Sequence, residues 1–353
     1  MVRSKSFEAP TAVHDALNHV FQWSCVSWLG LLIIIASLSA GQSRSTTSSP
    51  INGNFSATPA DSYAGLVDIG SGRKMYLQCR GSGSPTVVFV SGRSDRADIW
   101  SSVTDSSGKL KPSSSAVYPA VAKFTRVCAY DRPGTVAITG EHVAASRSSS
   151  VPQPTTAANG VTDLHALLTA AKVPGPYLLV AHSWGGLIAR LYAASYPNEV
   201  CGLVLVDTLT ELLYDGLTPE EQAWWITLNS IYSPDLDPYH QEKTNFLPSF
   251  QSLRTAPELR RMPVVILTSD QPYNLKPLAD QGNLPSSIPV NFGPVIFKAH
   301  VAGQKMLAER LNAGLILDTH ASHYVHTEQP QRVIDSIRYV VDKVRSGARS
   351  DRD

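Results

Sequence analysis

Tyr177-Leu178-Leu179-Val180-Ala181-His182-Ser183-Trp184-Gly185-Gly186 sets one serine on a tight turn between an apolar strand and a helix. Pro174 and Pro176 punctuate its start, and Leu178 to Val180 read as a short buried strand. After the turn, Leu187, Ile188, Leu191 and Tyr192 recur at helical spacing until Pro197 stops the run. A serine at such a corner projects its hydroxyl away from the sheet, and the amides that follow face the same space. Small residues at 181 and 185 let the two arms of the turn approach each other. A helix-capping serine would also sit there, but the two glycines after Trp184 favour an exposed nucleophile.

Outward from this turn, strand-like and helix-like segments alternate from Leu66 onward, which implies a mainly parallel sheet covered on both faces. The block from 208 to 261 breaks the rhythm with Trp224, Trp225, Tyr232, Tyr239, Phe246 and Phe250 and proline-marked interruptions. At 353 residues and 43% apolar content the chain can bury a large core, and a net charge of +1 argues against a nucleic-acid partner. There is no repeat, no glycine-rich phosphate loop and no Cys/His cluster with metal spacing, so neither a cofactor nor a metal is implied.

The Ser183 segment resembles the nucleophile elbow of the α/β-hydrolase superfamily, G-x-S-x-G, with Ala181 where the first glycine is usual. The resemblance implies an α/β fold: a mostly parallel eight-stranded sheet in the order 1-2-4-3-5-6-7-8, helices on both faces and a helical lid insertion. It places the catalytic domain at 63–347 and the lid at about 208–261. It also implies a triad in the chain order serine, acid, histidine. The serine esterase and lipase branch fits, and a branch similar to the proline iminopeptidases stays open.

His323, in Ala321-Ser322-His323-Tyr324-Val325-His326, follows an apolar strand and precedes a helix, as the histidine loop of that superfamily does. His320 and His326 compete with it and are expected to be solvated loop residues; His182 should point away from Ser183 and pack or hydrogen-bond. Asp270, at the end of Met262-Pro263-Val264-Val265-Ile266-Leu267-Thr268-Ser269-Asp270, is the acid that the resemblance implies. Asp207, which ends Leu203-Val204-Leu205-Val206-Asp207, is the alternative, and Asp318 a weaker third. The oxyanion donors implied are the backbone N–H groups of Trp184 and of Arg93, the latter in Ser91-Gly92-Arg93 where the superfamily has H-G-x. The guanidinium of Arg93 has the pocket within reach, but solvent or an ion pair is its expected setting. Asp131 and Arg132 read as structural.

Arg3 and Lys5 precede a stretch without charge from 20 to 40, closed by Ser37, Ser39 and Ala40. Residues 1–41 therefore read as a secretory signal peptide cleaved near 39 to 41, or as a signal anchor whose residues 20–40 tether the chain to a membrane. Either way the catalytic part lies outside the cytoplasm. Residues 42–62 read as a Ser/Thr/Pro-rich linker and 348–353 as a polar tail. The sheet order of the resembled fold makes the strands of Cys79 and Cys128 neighbours, which implies a disulfide between them and leaves Cys201 a buried thiol. The expected function is an exported serine hydrolase acting on a small-molecule ester or lipid-like substrate. An aminopeptidase or amidase is the alternative, using lid carboxylates such as Glu211, Asp215, Glu220 and Glu221 to hold an amine. A catalytically silent binding protein is the third reading.

Overall fold

Residues 62–139 and 142–350 are described by the structure, a computed structural model. The expected signal segment and linker fall outside the described residues, apart from Ser62 at the linker's end. Eight strands build the central sheet: β1 (Ser62–Gly70), β2 (Arg73–Arg80), β3 (Thr86–Val90), β4 (Val127–Tyr130), β5 (Tyr177–His182), β6 (Val200–Val206), β7 (Val264–Leu267) and β8 (Gly314–Ile316). Their order is β1-β2-β4-β3-β5-β6-β7-β8. Strand β2 is antiparallel to both β1 and β4, and from β4 to β8 every pairing is parallel.

The continuous apolar runs of β3, β5 and β6 follow from burial on both faces. Alternate residues feed two separate cores: Val88, Leu179 and Leu205 enter one, and Val87, Leu178 and Val204 enter the other. Helices α1 (Val117–Val121) and α8 (Pro330–Ser350) cover the second face. Helix α8 buries Val333, Ile334, Ile337, Val340 and Val341, one stripe at the 3.6-residue period. Helices α2 (Ala157–Ala170), α3 (Gly185–Ser195) and α7 (Phe292–Leu311) cover the first face. The start of α2 is fixed by a capping box in which Thr156 and Asn159 satisfy each other's backbone amides.

Between β6 and β7 the chain leaves the sheet for α4 (Glu211–Asp215), α5 (Pro219–Asn229), a 3-10 turn at Pro234–Tyr239 and α6 (Phe246–Thr255). Helix α5 starts on a second capping box, Thr218 with Glu221, with Pro219 in its first turn. Most aromatic residues of this insertion hold it together: Trp225 lies edge-on to Phe246 at 4.9 Å and beside Phe250 at 5.8 Å. Phe246 also meets Trp184 edge-on at 5.5 Å, which seats the insertion over the end of β5.

Cys79 and Cys128 face each other in register across β2 and β4, with Cα atoms 4.1 Å apart, and are joined by a disulfide. Cys201 is a buried free thiol whose Sγ–H donates to the Tyr177 carbonyl. No helix among the described residues is long and apolar enough to cross a membrane.

Candidate active site

Ser183 follows directly on β5 with a left-handed backbone, φ 52°. That conformation is unfavourable for a residue with a side chain, so the surroundings must enforce it. They do: Ser183 N–H donates to Val206 O at 3.3 Å, and its carbonyl accepts from Gly186 N at 3.0 Å and Leu209 N at 2.9 Å. Helix α3 then packs too tightly for any side chain at its first two positions. A Cβ at Gly185 would stand 2.3 Å from Val90 O, and one at Gly186 2.3 Å from Thr208 Cβ. Ala181, by contrast, is fully buried in β5, so its methyl group is accommodated where the superfamily usually has glycine.

Ser183 and His323 line one cleft, together with Arg93, Asp95, His182, Trp184, Leu209, Asn229, Phe246 and Tyr324. Asn229 and Phe246 come from the insertion. The N–H groups of Arg93 and Trp184 have no acceptor among the described residues, which leaves both available to a group bound beside Ser183.

The carboxylate on His323 belongs to Asp207. Its Oδ2 lies 2.6 Å from His323 Nδ1. Its Oδ1 receives Ser269 N–H at 2.7 Å, the Thr268 hydroxyl at 2.9 Å and His300 Nε2 at 2.7 Å. Burial alone would raise the Asp207 pKa, but the bonds and charges of His300 and His323 hold it well below the carboxylate range. Burial lowers the His323 pKa against the opposing pull of Asp207, so the imidazole is neutral at pH 7 and able to accept a proton.

This corrects the choice of Asp270. Strand β6 lies next to β5, with Val206 in register with His182, so Asp207 emerges beside Ser183. Asp270 lies three residues beyond β7, one strand further out, and its oxygens accept His320 N–H at 2.9 Å and Ala321 N–H at 3.2 Å. It fastens the loop that carries His323 rather than the ring itself. Asp318 is exposed and lies 3.8 Å from Arg332.

The other histidines also sort themselves. His320 is exposed as expected. His326, expected in solvent, is fully buried, 4.5 Å from the Trp100 ring and 4.3 Å from that of His182, and burial first, then the charge of His323, brings its pKa down to about 3. His182 donates through Nε2 to the carbonyl of His323 at 2.9 Å, which pins the histidine loop to the elbow.

A family model described as the alpha/beta hydrolase family matches residues 87–336. The chain belongs to that family. YqjL of Bacillus subtilis, an uncharacterized protein, is 28% identical over 258 residues, 72% of this chain and 82% of its own length. The probable transporter efuK of Hormonema carpetanum is 26% identical over 179 residues, 49% of this chain, and the match spans only 22% of that relative. Among solved structures, Est816, described as an N-acyl homoserine lactone degrading enzyme, shares 18% identity with a TM-score of 0.49 over 78% of this chain and 100% of its own.

Asp131 and Arg132 have the structural roles expected of them. Arg132 pairs with Glu242 at 2.7 Å and donates to the carbonyls of Ser91 at 2.8 Å and Gly92 at 2.6 Å. Glu242 also accepts from Ser94 N at 2.7 Å, so the insertion and the Ser91–Ser94 loop are clamped by one buried pair. Asp131 accepts from Ala97 N and pairs with Arg147 at 2.6 Å. Arg93 departs from expectation: its half-buried side chain lines the cleft and forms no ion pair among the described residues. Two further residues, His300 and Asp95, carry no mark in the sequence. The first is a lone histidine within α7, and the second sits in a loop with no motif, so no local signal distinguishes either.

Proposed function

We propose that this alpha/beta hydrolase is an exported serine hydrolase that cleaves carboxylic esters through an acyl-enzyme. The observation that carries the reading is a buried Asp207–His323 pair whose imidazole shares a cleft with a serine on a strained turn. Ser183 attacks the carbonyl, and His323 takes its proton while Asp207 holds the ring and stabilises the imidazolium. The Arg93 and Trp184 amides then receive the oxyanion, a contribution of about 3 kcal/mol per donor in comparable sites. His323 returns the proton to the leaving alcohol, and water releases the acid by the reverse path.

The aminopeptidase alternative needs a free carboxylate for the substrate amine, and the lid carboxylates named for that role are committed or turned away. Glu211 forms a buried bidentate pair with Arg190, Asp215 pairs with Arg254, Glu221 caps α5, and Glu220 is exposed outside the cleft. Export rests on the charge and hydropathy pattern of the first 41 residues. Assay of short p-nitrophenyl esters against aminoacyl anilides tests the reading. The expected outcome is ester turnover in the wild type, loss of it in Ser183→Ala, and little or no anilide cleavage. Anilides hydrolysed faster than esters would move the chain to the peptidase reading.

A further inference from the structure

Two arginines flank the Ser91–Gly92 loop, and among the described residues only one forms an ion pair. Arg132 is met by Glu242. Arg93 lines the cleft beside Ser183, donates to the Asn229 carbonyl at 2.7 Å, and lies 5.7 Å and 5.6 Å from the ring centres of Tyr232 and Phe246. Among the described residues it has no carboxylate oxygen within 4.0 Å. Neither nearby acid forms an ion pair with it among the described residues. Glu242 is committed to Arg132 and Ser94 N–H. Asp95, two residues on, is pushed up to about 7 by burial and by the charge of Glu242, against the pull of Arg132 and Arg93, so it is largely neutral below that pH.

A guanidinium stays charged in nearly any protein setting, and placing it out of water without a partner is costly. Burial indeed pulls the Arg93 pKa down, opposed by Tyr232 and Glu242. Oxyanion binding does not explain that cost, since that role uses only the backbone N–H, which any residue but proline supplies. An aromatic-walled, half-buried guanidinium with donors to spare is suited to a planar anion that takes two parallel hydrogen bonds.

We propose that the Arg93 guanidinium is an anion subsite, and that the substrate of Ser183 is an ester bearing a carboxylate. The insertion takes part in this selection, because Asn229, Tyr232 and Phe246 hold the guanidinium in place. Such a substrate brings Arg93 the ion-pair partner that it lacks among the described residues, while the ester group lies at Ser183. The proposal rests on the hydrolase reading of Ser183, but the binding half of the test stands without it.

Two anionic esters, mono-p-nitrophenyl glutarate with the carboxylate on the acyl side and p-carboxyphenyl pentanoate with it on the alcohol side, are each compared with neutral p-nitrophenyl pentanoate. In Arg93→Gln, which keeps the backbone amide, the kcat/KM ratio of one anionic ester to the neutral ester is expected to fall at least about 30-fold, chiefly through KM. Arg93→Lys is expected to recover part of that ratio. Unchanged ratios for both anionic esters overturn the proposal. Glutarate binding is measured by calorimetry in Ser183→Ala and in Ser183→Ala/Arg93→Gln, with folding checked by circular dichroism. Binding lost with Arg93 supports the subsite even if no ester is turned over, a result that would sink only the hydrolase reading. Equal binding, or none, in both variants removes the subsite.

Discussion

Asp207 and Asp270 both follow parallel apolar strands of the same sheet, and both hold the His323 loop or ring, but in different ways. Asp207 is fully buried, and its two oxygens are shared between His323 on one side and Ser269, Thr268 and His300 on the other. Asp270 is partly exposed and holds the backbone N–H groups of His320 and Ala321. One carboxylate touches the ring; the other fixes the loop from which the ring projects. A strand-ending aspartate in this fold is therefore assigned by which strand lies next to that of Ser183 and by what already occupies its oxygens.

The sharpest break of this comparison is a pair of isosteric substitutions. Asp207→Asn is expected to lower kcat for esters by about 10⁴-fold, since an amide neither fixes the ring tautomer nor stabilises the imidazolium. Asp270→Asn is expected to lower kcat less than about 10-fold, and to lower stability by about 1–2 kcal/mol in denaturant titration as the His320 and Ala321 amides lose a charged acceptor. Equal kinetic losses in the two variants would erase the distinction.

A smaller effect lies in the pH profile. Because the His323 pKa is lowered from 6.5 by burial, against the pull of Asp207, the ring is neutral and competent until the pH falls below that value. The acid limb of kcat/KM should therefore lie below pH 6.5 in the wild type. An acid limb above pH 6.5 would show instead that the Asp207 charge outweighs burial at this ring.

Much of the fold is legible in the sequence. The two-face burial of β5 and β6 shows in their unbroken apolar runs, and the elbow shows in small residues around Ser183. The order of the strands follows from the family resemblance, and with it the facing of Cys79 and Cys128. The carboxylate that meets His323 is not legible, because Leu203–Asp207 and Val264–Asp270 are similar local patterns and only the register of β6 on β5 separates them. The buried state of His326 is hidden for a similar reason. A polar residue in a short turn looks solvated until the turn folds back onto Trp100. Arg93 shows the limit most clearly, since its lack of an ion pair among the described residues is a property of everything around it and of nothing in Ser91-Gly92-Arg93.

Peptide-mapped labelling of the wild-type protein with a fluorophosphonate probe tests the central claim most directly, because the probe reports a serine made nucleophilic by its neighbours. The expected result is one adduct, on the peptide that carries Ser183, and no adduct in Ser183→Ala. A wild type that turns over esters yet stays unlabelled, or carries the adduct on another residue, would contradict it.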